Sequence, residues 1–244
     1  MRWTSLRAGR GVLADGKTSA NTKSDLPKRL ISAAVMIAVA AGALWAGDPW
    51  LDRFIAFVVA VTLGEFMLLA LRTFRSTPAR LVAVVAGTLY IVLAGVVLTR
   101  LPIPMVVGVV GTVVAVDTFA YIFGRTLGGP KIAPSISPSK TWAGLLGGIV
   151  GASGWLALFV YYAARQMSGP TTLPFETGEI VTLIGVGTTL AIAAQAGDFF
   201  ESWLKRRAGV KDSSNLVPGH GGFFDRTDGM IPVILIAGVA FGVL

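Results

Sequence analysis

The chain has 244 residues, 54% of them hydrophobic and only 14% charged, and carries a formal net charge of +8 at pH 7. Soluble domains carry roughly 25% charged residues, so this composition excludes an ordinary soluble protein and indicates a membrane protein. The chain contains no cysteine, which excludes disulfides, thiolate catalysis and cysteine-ligated metals. Its basic residues lie between apolar segments, where they favour membrane topology and anionic-lipid contacts over nucleic-acid binding.

Apolar runs predict seven spanning helices, because a helix needs about 20 largely apolar residues to cross a bilayer. Residues 1–28 precede them and are polar and basic, which predicts a flexible cytoplasmic tail. The remainder divides into N-terminal transmembrane helices at 29–100 and a second transmembrane region at 101–244, with cytoplasmic loops at 125–141 and 202–228. The expected fold is an all-α, polytopic membrane helix bundle. The predicted spans are Leu30–Gly47, Phe54–Leu71, Leu81–Thr99, Ile103–Gly124, Trp142–Ala164, Ile180–Phe200 and Met230–Leu244.

The lysines and arginines orient these spans. With seven spans, eighteen of the 21 basic residues fall on the side of the N-terminus and three fall on the opposite side. Cytoplasmic segments of membrane proteins carry the excess of Lys and Arg, so the N-terminus and both long loops are expected in the cytoplasm. The expected location is the inner membrane of the cell, crossed several times, with the functional site facing the cytoplasm.

Two acidic residues lie within early apolar runs, where a charge is costly and usually faces the bundle interior. Glu65 is compatible with a polar contact between helices or with a snorkelling group at a helix end. Asp117 precedes Tyr121 by four residues and Arg125 by eight, so the three share one helical face. This face is a candidate binding surface, and an internal ion pair is the alternative.

A polar strip marks the cytoplasmic end of the sixth span. Asp198, Glu201, Ser202 and Lys205 occupy offsets 0, 3, 4 and 7 and therefore lie on one helical face. A solvated helix end would also be polar. However, Asp198 lies a turn deeper, directly after an uninterrupted apolar run, which favours a functional cluster.

The loop 125–141 contains three prolines, which forbid a continuous helix. Ser137, Ser139, Lys140 and Thr141 then collect three hydroxyls and a cation directly before the next helix. A lysine beside hydroxyls at a helix N-terminus favours phosphate binding. The alternative is a helix cap, which needs only Ser139 or Thr141.

The loop 202–228 combines side chains that bind anions with side chains that bind cations. Its lysines and arginines are anion ligands, and its aspartates supply the oxygen ligands that Mg²⁺ prefers. Between them the sequence PGHGG predicts a sharp turn where a ligand can approach the backbone closely. His220, the chain's only histidine, can equally be a hydrogen-bonding turn residue. Together these groups favour a metal–nucleotide site. The basic residues are Lys205, Arg206, Arg207, Lys211 and Arg226, and the aspartates are Asp212, Asp225 and Asp228.

The stretch SWLKRRAGVKDSSNLVPGHGGFFDRTD, at 202–228, resembles the signature of the phosphatidate cytidylyltransferases, also called CDP-diacylglycerol synthases. The stretches DTFAYIFGR, ISPSKTWAG and QAGDFFES agree with the same family, and the resemblance covers roughly residues 100–244. Two positions depart from the family. Ala143 stands where relatives commonly carry Glu, and Gly229 replaces a common Ser.

The resemblance implies that the region 101–244 is catalytic and converts CTP and phosphatidic acid to CDP-diacylglycerol and pyrophosphate, in phospholipid biosynthesis. It implies a two-cation centre of Mg²⁺ and a second cation such as K⁺, held by Asp198 and Asp225. The expected partners are CTP, phosphatidic acid and membrane lipid, without nucleic acid, and a homodimer is left open. The expected catalytic residues are Asp198, Asp225, Asp228, Lys205, Lys211 and His220. The expected substrate-binding residues are Asp117, Arg125, Ser137, Ser139, Lys140, Thr141, Ser202, Arg206, Asp212, Gly219, Gly221, Gly222 and Arg226.

Two rival functions remain open at this point. One is a lipid-alcohol kinase that uses CTP as phosphoryl donor. The other is a cation-coupled transporter with Asp117 and Asp198 on the ion path, although the sequence shows no internal repeat of the kind such transporters have. Because lipid tails stay in the bilayer, an enzyme of this kind is expected to have a membrane-open groove lined by the spans that carry Asp117 and Asp198.

Overall fold

A computed structural model describes residues 25–168 and 175–244. Most of the predicted tail at 1–28 lies outside the described residues. The described elements, in chain order, are α1 (Asp25–Ala46), α2 (Trp50–Thr73), α3 (Thr77–Arg100), α4 (Ile103–Thr126), β1 (Lys131–Ala133), β2 (Ser137–Thr141), α5 (Trp142–Ser168), α6 (Thr177–Ala208), α7 (Phe224–Thr227) and α8 (Met230–Ala240).

The helices α1 to α6 are long and apolar enough to cross a membrane, which confirms a helical, polytopic membrane fold. The predicted seventh span is not confirmed. Its apolar run forms α8, which has only 11 residues. At about 1.5 Å per residue, a helix of this length covers roughly half of a bilayer core.

Helix ends follow from the residues beside them. Proline occupies the first turn of α3 and of α4, where its missing N–H would have no helical partner in any case. The 32-residue α6 ends at Gly209, which adopts a left-handed conformation and donates its N–H to the carbonyls of Lys205 and Arg206. This stop leaves Lys205 on the last turn of the helix, facing the loop that follows.

Small residues let α4 and α5 pack closely. A Cβ at Gly147 would lie 2.5 Å from the carbonyl oxygen of Phe119, and one at Gly151 would lie 2.5 Å from that of Ala115. Larger side chains would therefore push the helices apart. This close contact fixes the N-terminal end of α5, and with it the hairpin that precedes α5, against α4.

The loop predicted at 125–141 contains an antiparallel hairpin of β1 and β2. Lys131 pairs with Thr141 and Ala133 with Ser137. The prolines do prevent a continuous helix, but they leave enough backbone donors for this short ladder. The expectation of an all-α chain therefore needs this one addition.

The helix ends that were predicted to share one side of the membrane meet in the structure. The hydroxyl of Thr73, at the end of α2, donates to the carbonyl of Leu204 on α6 at 3.2 Å. Arg206 Nε donates to the carbonyl of Ile136 in the hairpin at 3.4 Å. The ends of α2, α4 and α6 and the starts of α3 and α5 thus form one face of the bundle, and the candidate site lies there.

Candidate active site

The polar strip at the end of α6 forms the first half of the site. Lys205 Nζ lies 2.5 Å from Glu201 Oε2 and 2.5 Å from Asp225 Oδ1. Glu201 is almost fully buried, with 2% of its side chain exposed, and Asp225 exposes 7%. The ammonium of Lys205 therefore joins α6 to the loop that carries Asp225. The predicted strip is present, and the loop folds back over the end of the sixth span.

Asp225 is held by its own loop. Its Oδ2 accepts hydrogen bonds from Ser213 N at 2.9 Å, Ser213 Oγ at 2.8 Å and Gly222 N at 2.7 Å. Burial by itself would raise the pKa of Asp225, but its contacts with Glu201, Lys205 and the Gly222 N–H outweigh burial and hold the pKa well below its usual range. Asp225 is therefore ionised at neutral pH, and its Oδ1 is the oxygen turned toward α6.

Asp228 approaches α6 near Asp198. A Cβ at Gly229 would lie 2.8 Å from Asp198 Oδ1, so the missing side chain of Gly229 permits this close approach. Burial, followed by the negative charge of Asp198, raises the pKa of Asp228 to about 7. We call Asp198, Glu201, Asp225 and Asp228 the carboxylate cluster.

The hairpin contributes the second ammonium group. Lys140, on β2, forms an ion pair with Asp198, and both side chains are largely buried. Thr141 is buried and accepts a hydrogen bond from Gly144 N at 3.0 Å, so its hydroxyl caps the start of α5. Ser137 is buried as well, while Ser139 is exposed. Of the four residues predicted to bind phosphate, Lys140 is the one that reaches the carboxylate cluster.

Glu201 was not assigned a role from the sequence, although it lies on the predicted strip. Its Oε1 is buried and has no hydrogen-bond partner in the part of the chain that the structure describes. An unpaired buried carboxylate oxygen is costly, which points to a proton or a cation at this position. The signal in the sequence was its i+3 spacing from Asp198 and its i−4 spacing from Lys205.

The carboxylate cluster suits a hard cation in its chemistry but is not a preformed cage. Three of its four carboxyl groups, those of Asp198, Glu201 and Asp225, pair with the ammonium groups of Lys140 and Lys205. With Asp228 included, the cluster has an excess of two negative charges when all groups are ionised. Oxygen donors of this kind are the ligands that Mg²⁺ selects. Among the residues described, however, no three acidic or histidine side chains are arranged around one metal position. The two lysines contact the oxygens that a cation would use.

The predicted glycine turn is present and packs against α1. Gly219 and Gly221 have φ angles of +77° and +84°, a left-handed conformation that favours glycine. His220 Nδ1 lies 2.7 Å from Ser32 Oγ on α1, and its carbonyl accepts a hydrogen bond from Arg226 Nη2 at 2.7 Å. These contacts agree with the hydrogen-bonding alternative for His220. A catalytic role for His220 stays a prediction.

Several predicted site residues lie outside the carboxylate cluster. Lys211 and Asp212 are exposed on the loop, and Ser202 is half-buried on α6. Arg125 donates to the Tyr121 hydroxyl at 2.6 Å, so the described residues show no Asp117–Arg125 ion pair. Asp117 is exposed on α4 and is in no ion pair among the described residues.

Glu65 on α2 is the second acidic residue whose role the sequence left open. It is buried, with 3% exposed, and accepts four hydrogen bonds from the chain around the glycine turn. Its Oε1 accepts from Ser214 Oγ at 2.5 Å and Phe223 N at 3.1 Å. Its Oε2 accepts from Ser213 Oγ at 3.0 Å and Phe224 N at 2.7 Å. The side chain therefore binds the loop and the start of α7, and it does not snorkel.

An apolar cavity of about 640 Å³ lies among α1, α2, α3, α4 and α8. Its lining is apolar except for Thr62 on α2 and Arg226 and Thr227 on α7. Residues of α4 line this cavity, and no residue of α6 borders it. The expected groove between the spans that carry Asp117 and Asp198 therefore stays a prediction.

The fold and the site define a multi-pass membrane protein with a cluster of carboxylates and lysines at one end of its helix bundle. Residues 100–244 match the sequence model of the cytidylyltransferase family, and the chain belongs to that family.

Curated relatives with the name phosphatidate cytidylyltransferase are similar to about half of the chain. The protein from Rickettsia bellii is 42% identical over 117 residues, which cover 48% of each chain. The protein from Brucella abortus is 44% identical over 116 residues, which cover 47% of this chain and 38% of that protein. The protein from Haemophilus influenzae is 39% identical over 120 residues, which cover 49% of this chain and 39% of that protein. The matched part of the chain thus spans about two fifths to one half of these relatives.

Proposed function

We propose that the chain is a phosphatidate cytidylyltransferase that forms CDP-diacylglycerol and pyrophosphate from CTP and phosphatidic acid. The observation that carries the proposal is the carboxylate cluster with its two lysines, at one end of the bundle and beside a long apolar cavity. The family membership and the names of the relatives point to the same reaction. A polar substrate and a lipid substrate can meet only at such a boundary.

The chemistry requires two polyanions to approach each other. A phosphate oxygen of phosphatidic acid attacks the α-phosphorus of CTP and forms a new P–O bond. The bond from the α-phosphorus to the oxygen bridging the α and β phosphates breaks, and pyrophosphate leaves with the electron pair. The attacking oxygen is already anionic at neutral pH, so a strong general base is not required. The task of the protein is therefore positioning and charge neutralisation.

Lys140 and Lys205 are the cations nearest to the reacting groups in this proposal. Each is paired with a carboxylate in the structure, and an incoming phosphate would compete for the same ammonium. Lys211, on the loop, and Arg206, at the end of α6, are exposed and would bind the triphosphate first. Ser202, Ser139 and Asp212 are exposed or half-exposed nearby and stay predictions as substrate contacts.

Mg²⁺, with a second cation such as K⁺, is proposed as the cofactor. Asp198 and Asp225 would hold it, since each presents a carboxylate oxygen that is paired with a lysine in the structure. The ions would supply charge neutralisation on the transferred phosphoryl group and on the leaving pyrophosphate. Glu201 and Asp228 complete the negative charge around this position, and the unpartnered Oε1 of Glu201 supports the assignment.

The apolar cavity is proposed to receive acyl chains of phosphatidic acid. Arg226 is the one charged residue on its lining and directly follows Asp225 on α7. A guanidinium at this position can pair with the lipid phosphate while the acyl chains stay among apolar side chains. The site would face the cytoplasm, where CTP is available, in the inner membrane. A homodimer stays a prediction.

The proposed function is tested with radiolabelled CTP and purified protein in detergent or in vesicles. Label should enter a lipid product and pyrophosphate should be released only when phosphatidic acid is present. Transfer of the terminal phosphate of CTP to a lipid alcohol would support the kinase instead. Ion flux into vesicles without any CTP turnover would support the transporter.

A further inference from the structure

We propose that Glu65 is a positioning residue that fixes the loop carrying Asp225. For its kinetic consequences the proposal rests on the function proposed above, but its structural content does not. The four hydrogen bonds of Glu65 reach both arms of the glycine turn. Ser213 and Ser214 precede the turn, and Phe223 and Phe224 follow it. One side chain on α2 thus holds both arms of the turn together, and we call Glu65 with these four hydrogen bonds the clamp.

The clamp reaches Asp225 through shared groups. The Ser213 hydroxyl lies within hydrogen-bond distance of both Glu65 Oε2 and Asp225 Oδ2 and can donate its one hydrogen to either. The backbone N–H of Ser213 binds Asp225 Oδ2. Gly222, whose N–H also binds Asp225 Oδ2, lies so close to Glu65 that a Cβ would come within 2.6 Å of Oε1. Glu65 therefore holds the two residues whose N–H groups aim Asp225 Oδ1 at Lys205. It acts through the loop and does not touch the oxygen that faces α6.

The charge of Glu65 is balanced by neutral hydrogen-bond donors. No lysine or arginine lies within ion-pair distance of it among the described residues. Burial of a carboxylate without a cation is costly unless several donors satisfy it. Two of the donors, the N–H groups of Phe223 and Phe224, lie at the start of α7 and have no helical carbonyl to bind. The loop and the carboxylate therefore satisfy each other's buried polar groups.

Aromatic contacts keep the same segments together without fixing their detailed geometry. Phe66 packs edge-on against Phe224, and Phe57 packs edge-on against Phe223, both at 5.8 Å between ring centroids. Removal of the Glu65 charge should therefore loosen the loop while it stays docked on α2. This difference separates positioning from simple structural support and makes the proposal testable.

The test uses Glu65→Gln and Glu65→Asp in the full chain. Glutamine keeps the shape but places an NH₂ donor against groups that are themselves donors. Aspartate keeps both acceptor oxygens but draws them back by one carbon–carbon bond. Leu69→Ala is the matched control, because Leu69 is a buried residue of the same helix, with 1% exposed, and belongs to the apolar core. It should cost stability without loosening the loop.

Two readouts are compared at matched folded fraction. A nitroxide on a cysteine at Leu216, an exposed loop residue in a chain that has no other cysteine, reports loop mobility without any substrate. Mobility should rise in Glu65→Gln, rise less in Glu65→Asp and stay unchanged in Leu69→Ala. In the active wild type, kcat should fall by about 10–100-fold in Glu65→Gln with a raised Mg²⁺ requirement, the range seen when a group that orients a ligand is removed.

The outcomes separate the two proposals. If the wild type without the nitroxide label shows no CTP turnover, the proposed function is rejected. The comparison of loop mobility then still tests the positioning role of Glu65. Equal mobility in Glu65→Gln and wild type would overturn the positioning role, and so would equal loosening in Leu69→Ala. If neither Glu65 variant folds while Leu69→Ala does, Glu65 is a folding determinant and the positioning role is rejected.

Discussion

Asp198→Asn is expected to abolish most activity with little loss of stability. Asp198 has one side-chain partner in the described structure, the ammonium of Lys140. Asparagine keeps the shape and one oxygen for that ammonium but removes the negative charge. The same change at Asp225 would disturb the structure as well as remove the charge. It would set an NH₂ group against Lys205 or against the backbone donors of Ser213 and Gly222.

The expected losses of stability and activity in Asp198→Asn follow from the burial of the ion pair and from the charge that is removed. Asp198 and Lys140 expose 17% and 25% of their side chains, so the pair lies between an exposed one, worth about 0–1 kcal/mol, and a fully buried one, whose disruption costs about 3–5 kcal/mol. Loss of the repulsion between Asp198 and Asp228 offsets part of this cost, which leaves about 1 kcal/mol of destabilisation. Removal of a group that stabilises transition-state charge costs about 2.7–4 kcal/mol, or roughly 100–1,000-fold in kcat.

The assay measures specific activity of monodisperse protein with radiolabelled CTP and phosphatidic acid across a Mg²⁺ titration, together with the thermal midpoint. Asp52→Asn, which removes a carboxylate from the first turn of α2 at the opposite end of the bundle, is the matched control. It should keep activity near that of wild type. Activity of Asp198→Asn within a few-fold of wild type at every Mg²⁺ concentration would refute the assignment of Asp198 to the cation centre.

Three further predictions follow from the loop and its neighbours. Because the folded-state pKa of Asp228 is raised to about 7 from 3.8, its contribution to stability is present at low pH and is lost as pH rises from about 4 to 7. Asp228→Asn should therefore raise the thermal midpoint above that of wild type by more at pH 8 than at pH 5. A variant whose midpoint depends on pH as the wild type does would contradict the raised pKa. A cysteine at Leu216 should resist impermeant thiol reagents in intact cells and react once the inner face is exposed, whereas labelling in sealed cells would reverse the topology. Gly222→Ala should lower activity and stability, because its Cβ would collide with Ser213 Oγ and the Glu65 carboxylate, while Gly154→Ala, with open space around it, should leave both unchanged; equal behaviour of the two variants would refute the close packing.

The long-range features that were predicted from sequence are those with a periodic or compositional signal. Six of the apolar runs form long helices, since length and hydropathy alone determine whether a segment can cross a bilayer. The strip of Asp198 and Lys205 was readable because helical spacing places both on one face. A cation centre held by both Asp198 and Asp225 would require the loop to return toward this strip, and the Lys205–Asp225 contact shows that the loop does return.

The features that the sequence did not reveal depend on contacts between distant backbone groups. Half of the hydrogen bonds of Glu65 come from main-chain N–H groups almost 160 residues away. Because nearly every residue has a main-chain N–H, the residue types in the sequence do not show which of these groups will bind Glu65. The hairpin at 131–141 was missed because its three-residue and five-residue strands are too short for an alternating pattern. The apolar run after Met230 has the hydropathy of a span, but as a helix it has only 11 residues.

The clamp at Glu65 lies outside the residues that match the family. The matched region begins at residue 100, whereas Glu65 is on α2. The boundary of sequence similarity is therefore not a boundary of structural independence. A chimera that joined the first three helices of a distant homologue to residues 100–244 would carry every residue of the signature. Its second helix would still have to supply a carboxylate at the position equivalent to Glu65 to bind the loop.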